Sequence, residues 1–258
     1  MKLRVREGCF SVCRFNYVTV CLPLVSLLVS SCSTVSNLVG KPTYDPASYG
    51  TSALIDTIQS PESNSTDAAA AAKQLAQRNL SEAEGRELMD TLLALKNWKV
   101  RVALLQTMAA KQMTYLREDL AAYAMEAPDS ESAVEAAVTV VALTSDQLAA
   151  AKFAGKLLLQ GTYPAQRARA ARLIANTFPE YAEKLFIKAL EKETSASAAT
   201  LMCEYLAQKG GTASLPVLDG IANDVTRIYQ TDNFLDVKTT AESVRAAAVR
   251  GAERLRGQ

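Results

Sequence analysis

Histidine is absent from this 258-residue chain. That removes the commonest general base and metal ligand, and with it every Ser-His and Cys-His nucleophilic pair. Cysteine is scarce where it would staple a fold. Cys9, Cys13, Cys21 and Cys32 all stand in the first 32 residues, and Cys203 is the only other one. Neither sign of charge dominates: 28 basic residues face 27 acidic ones, a balance without the electrostatic footprint of a nucleic-acid binder. Glycine is sparse, and Gly210-Gly211 reads as a turn rather than a phosphate-cradling loop. No apolar run reaches the roughly 20 residues that a membrane-spanning helix needs. No stretch keeps up apolar/polar alternation between turn dipeptides, so no strands are expected.

What is present begins with an address. Lys2, Arg4, Arg6 and Arg14 stand against one acid, Glu7, and are followed by an uncharged segment densest at Val18–Val29. A positive start before a short apolar run is the arrangement of a signal peptide, and Pro23 disfavours a stable buried helix there. The run ends Val29-Ser30-Ser31-Cys32: an aliphatic residue, two small ones, then cysteine. This resembles the bacterial lipoprotein signal, the lipobox. The resemblance implies cleavage after Ser31, lipid on the new N-terminal Cys32, and attachment to an envelope membrane. The absence of Asp at Ser33 implies the outer membrane under the sorting rule known for some lipoproteins. An ordinary cleaved signal and an uncleaved anchor are the alternatives. Cleavage would remove four basic residues and one acid, leaving 24 against 26, and would leave Cys203 as the only free thiol. An intramolecular disulfide is then impossible, and a hydrophobic core must hold the fold.

Three parts are expected: a signal peptide over 1–31, a lipidated tether over 32–66 and a helical domain over 67–258. The tether is rich in Ser, Thr and Pro, with one short helical or docked piece at Ser52–Ile58. From "DAAAAAKQLAQRN" onward alanine, leucine, glutamate and lysine dominate, and helix punctuation is regular. Ser81-Glu82-Ala83-Glu84 and Thr239-Thr240-Ala241-Glu242 read as capping boxes. Asn97 reads as an N-cap. Pro128, Pro164, Pro179 and Pro216 stand at helix starts, and Gly161 and Gly210 at helix ends, where a left-handed cap residue is expected.

The helices repeat. With Arg101, Glu135, Arg167, Ala199 and Arg245 as origins, Leu104, Val138, Ala170, Met202 and Ala248 stand three residues on. Met108, Ala142, Ile174, Leu206 and Ala252 stand seven on. This spacing gives each helix one apolar face. Second helices follow, marked by Leu120 and Tyr123, by Phe153 and Leu157, by Leu185 and Phe186, and by Leu218 and Ile221. A lone hairpin cannot bury its face, but a stack can. Val100-Arg101, Val244-Arg245 and "GGTASLPVLDGIAND" resemble the short bacterial form of the HEAT-like repeat family. The resemblance implies an all-α solenoid, a curved right-handed stack of helical hairpins. The tetratricopeptide class is close through "YAEKLFIKALEK", but its Trp-Leu-Gly-Tyr signature is absent.

The candidate sites are few. Cys32 is the lipidation candidate. Arg167, Arg169 and Arg172 form a basic cluster that reads either as solvated or inter-repeat charges, pairing with acids such as Glu135, or as a partner-binding edge. Residues 224–239 break the period, and insertions in repeat proteins often carry the binding face. Tyr229 and Phe234 are the aromatic residues there, and they read as partner anchors or as cover for the final helix. Cys203 reads as a buried small hydrophobe. No cofactor, metal site or nucleic-acid partner is expected. The expected function is a non-enzymatic scaffold, held by lipid and binding an envelope protein. The alternative is an envelope hydrolase working with Asp, Glu, Ser or Lys.

Overall fold

A computed structural model describes residues 44–60, 65–230 and 237–257, the side chains of 237–239 excepted. The expected signal, Cys32 and Phe234 lie outside the described residues.

Twelve α-helices and no strands occur among the described residues. They are α1 (Thr51–Gln59), α2 (Ser65–Leu75), α3 (Glu82–Ala94), α4 (Trp98–Ala110), α5 (Arg117–Glu126) and α6 (Ser130–Leu143). They continue with α7 (Gln147–Gln160), α8 (Pro164–Thr177), α9 (Pro179–Leu190), α10 (Ala196–Lys209), α11 (Leu215–Asn223) and α12 (Val237–Arg256). Their starts follow from local chemistry. Ser81 Oγ accepts from the Glu84 N–H at 3.3 Å while the Glu84 carboxylate accepts from the Ser81 N–H at 2.7 Å. These bonds hold that carboxyl below its ordinary pKa. Asn97, Asp129, Asp146 and Ser195 each accept from an amide of the first turn they precede. Proline opens α8 and α9, where a missing N–H costs nothing. The expected box at Thr239 is not a cap: α12 already starts at Val237, so Thr239 and Thr240 lie in its first turn.

Alternate helices touch in series. α2 lies on α4, α4 on α6, α6 on α8, α8 on α10 and α10 on α12, while α5, α7 and α11 cover α6, α8 and α12. Buried residues from Leu54 to Leu255 join in one hydrophobic cluster. Side-chain hydroxyls also stitch neighbouring helices. Thr107 Oγ1 stands 2.6 Å from the Ala72 carbonyl, and Thr139 Oγ1 donates to the Leu105 carbonyl at 3.4 Å.

The repeat register holds in four of the five helices. Leu104, Met108, Ala170, Ile174, Met202, Leu206, Ala248 and Ala252 are all buried. In α6 it slips by two residues: Ala142 is exposed and Val138 half-buried, whereas Ala133, Ala136 and Val140 are buried. The origin there is Ala133, which aligns Thr139 with Thr107. By the same alignment α2, with buried Ala68, Ala71, Ala72 and Leu75, is one more member of the series.

The boundary expected at 67 moves to Tyr44, where the compact unit begins. Leu54, Ile55 and Ile58 fall on one face of α1 and are buried. The Arg78 guanidinium donates to the carbonyls of Ala47 and Tyr49 at 3.0 and 2.9 Å. Gln59 donates to Thr91 Oγ1 of α3 at 2.9 Å. Residues 44–60 are therefore part of the packed body rather than of a tether.

Gly161 and Gly210 do end α7 and α10, but with φ of −59° and −77°, not in the left-handed region. Glycine is required there by crowding. A Cβ on Gly161 would stand 2.5 Å from the Leu157 carbonyl oxygen, and one on Gly210 would stand 2.6 Å from that of Leu206.

Candidate interaction surfaces

The break in the repeat after α11 is tied down from both ends. Asp224 Oδ1 accepts from the Thr226 N–H and hydroxyl at 3.0 and 2.8 Å and from the Arg227 N–H at 3.1 Å. These bonds, the Thr226 hydroxyl foremost, pull the carboxyl below its ordinary pKa. Arg227 turns back and donates to the carbonyls of Leu190, at 2.8 Å, and Glu191, which α9 leaves unpaired at its end. The Gln230 N–H donates to the Thr194 carbonyl at 2.6 Å, and the Gln230 carbonyl accepts from the Ala196 N–H at 3.0 Å.

This backbone path decides which side chains face inward. Tyr229 is 2% exposed and belongs to the core. As a surface anchor it is corrected: its ring is cover for the helices. Burial accordingly raises its hydroxyl pKa. Val225 and Ile228 face out instead, 78% and 73% exposed. Beside them a groove of about 430 Å³ is lined by Ile187, Leu190, Val217, Ile221, Asp224 and Arg227. Their signal in the sequence is two β-branched residues in a polar stretch.

The basic cluster resolves into separate roles. Arg167 donates through Nε to Glu193 Oε1 at 2.9 Å, through Nη1 to the Gly161 carbonyl at 2.9 Å, and through Nη2 to Thr194 Oγ1 at 3.1 Å. Its side chain and that of Glu193 are only 12% and 2% exposed, so Arg167 is a structural tie and not a partner-binding edge. Arg101 on α4 repeats the device two positions earlier in the series. It donates to Ser132 Oγ at 3.1 Å, to the Leu95 carbonyl and to the Asp129 carboxylate. In both cases an arginine near the start of one first helix grips the residues that open the next. Arg169 is half-buried, with its Nε making no hydrogen bond. It acts electrostatically on Glu135, whose carboxyl is raised by burial and lowered in part by Gln106 and Arg169. Arg172 is exposed.

Cys203 is fully buried, and burial pushes its thiol up to about 12, so it stays protonated and unreactive at neutral pH. No three His, Cys, Asp or Glu side chains converge to hold a metal ion among the described residues. No described helix is long and apolar enough to cross a membrane.

No family model matches the chain. Comparisons with curated proteins and with solved structures likewise give no match.

Proposed function

We propose that this chain is a lipid-anchored scaffold of the bacterial cell envelope, a HEAT-like solenoid that binds a partner protein without catalysing a reaction. The serial contacts of α2, α4, α6, α8, α10 and α12, with the Thr107 and Thr139 links, support the solenoid reading. The observation that carries the binding function is the exposure of Val225 and Ile228 beside the groove of Ile187, Leu190, Val217 and Ile221. Apolar side chains held outward by a hydrogen-bonded turn are what a protein-binding surface needs. Lipid on Cys32 holds the scaffold at the outer membrane.

The hydrolase alternative finds no support in Glu135, the carboxyl that burial raises, or in Cys203. Glu135 stands with Gln106 and Arg169 and lines neither the groove at Ile187 nor the wider one between α3 and α5. Cys203 is sealed in the core.

Two variants test the parts of this reading separately. Cys32→Ala will leave the protein unacylated and out of the washed membrane fraction, by fractionation and intact mass. Acylation at the wild-type level would remove the anchor. Val225→Asp with Ile228→Asp will leave the free energy of unfolding within about 0.5 kcal/mol of wild type, as surface changes do. The same pair will abolish recovery of the crosslinked partner from intact envelopes. Undiminished recovery would remove the binding surface.

A further inference from the structure

Between α3 and α5 lies a groove of about 670 Å³ that the described chain leaves unfilled. Arg86, Met89, Asp90 and Leu93 line it from one face of α3, and Asp119, Ala122, Tyr123 and Glu126 from one face of α5. Its floor is apolar: Met89, Leu116 and Tyr123 are buried. Its wall is apolar as well, since Leu93 is 62% exposed. Around this surface stand three exposed carboxylates, Asp90, Asp119 and Glu126, none in a salt bridge among the described residues. Arg86 is the one cation in the lining. Glu82 holds it at 2.8 Å, and it lies over the Tyr115 ring at 5.8 Å. The groove is thus a trough with an apolar patch centred on Leu93 and a net negative rim, whose own cation is held by Glu82 and also acts on Asp119.

We propose that this groove takes a basic amphipathic helix of a partner protein. The apolar side chains of that helix rest on Leu93 and on the accessible edges of Met89 and Tyr123, and its lysines or arginines meet Asp90, Asp119 and Glu126. The α3 face from Arg86 to Leu93 spans about 10 Å, two helical turns, so it reads residues at i, i+3, i+4 and i+7 of the bound helix. The rim charges select by sign: an acidic segment of equal apolarity meets three carboxylates outside any salt bridge, of which only Asp119 feels the charge of Arg86. The inference rests on the scaffold reading and names the chemistry of a partner at a surface other than the 224–230 edge.

The test uses the mature chain from residue 32 with Cys32→Ala, free of detergent, and two labelled synthetic helices. Both carry leucine at i, i+3, i+4 and i+7; one has lysine and the other glutamate at the flanking positions. Fluorescence anisotropy at 50 mM salt is expected to show at least tenfold tighter binding of the lysine helix, weakening as salt rises. Leu93→Asn, and separately Asp90→Asn/Asp119→Asn/Glu126→Gln, are each expected to weaken it at least tenfold with the far-UV circular dichroism unchanged. Glu180→Gln/Glu204→Gln/Glu253→Gln removes the same charge from other surfaces and is expected to leave it unchanged. Equal binding of the two helices, no binding of either, or equal loss in the control triple variant overturns the proposal. Partner recovery that still depends on Val225 and Ile228 would then show that the scaffold reading survives the loss of this groove.

Discussion

A chain cut to begin at Ser65 will unfold at a much lower denaturant concentration than one that begins at Tyr44. Composition alone argues the opposite, because 44–60 lies in the expected tether over 32–66, which is rich in Ser, Thr and Pro. The packing decides. Leu54 is fully buried, with Ile55 and Ile58 nearly so, and α1 lies along α2 with a further contact on α3. Truncating one buried leucine typically costs about 2–5 kcal/mol, and this cut removes three buried aliphatic side chains at once. It also removes one of the two helices packed closely on α2, and takes two carbonyl acceptors from Arg78. Total stabilities of about 5–15 kcal/mol are usual, so the shortened chain keeps a fraction of its stability at best. Leu54→Ala in the uncut chain tests the same contact alone, with about 2–5 kcal/mol lost. Urea unfolding followed by circular dichroism measures both, and coincident midpoints would return 44–60 to a tether.

The second large effect is expected at Arg101. Its side chain is 8% exposed and that of Asp129 is 21% exposed. Removing one member of a buried pair leaves a desolvated charge, at about 3–5 kcal/mol. Asp129 keeps the Ser132 N–H at 2.7 Å and the Ser132 hydroxyl at 3.0 Å and is partly wet, so Arg101→Ala is expected at the low end, about 3 kcal/mol. Arg101→Met with Asp129→Asn removes both charges and keeps the bulk, and it should recover part of that loss. The pair Arg86–Glu82 is the contrast, at 57% and 60% exposure. Glu82→Gln there will cost less than about 1 kcal/mol, because exposed pairs are well screened. Equal effects at the two pairs, measured by urea unfolding, would contradict the account of Arg101 as the tie between α4 and the start of α6.

Helix punctuation and most of the repeat were legible because they depend on near neighbours. The Ser81 box, the Asn97 cap and the faces marked by Leu104, Ile174 and Leu206 need only a few residues to specify them. Register in α6 was not legible. "AVEAAVTVVAL" offers apolar residues in two frames, and the Leu105 carbonyl that the Thr139 hydroxyl reaches belongs to a helix 34 positions away. The role of α1 was hidden by its length: nine residues carry one short apolar face, and the surrounding composition resembles a linker. At the break after α11, ring size pointed to Tyr229, but the direction of each side chain is fixed by the Gln230–Thr194 bond. That bond turns Tyr229 in and leaves Ile228 out. The groove between α3 and α5 had no local signature at all, since its two walls come from separate helices with α4 between them in the chain.

The outward residues at this break are expected to meet a partner protein in the envelope. A photoreactive phenylalanine analogue placed at position 228 in living cells tests it directly, with the same analogue at exposed Ala246 of α12 as the reference. On illumination the account predicts a discrete adduct of defined mass from position 228, absent or much weaker from position 246. No adduct at 228, or an indistinguishable ladder from both positions, would contradict it.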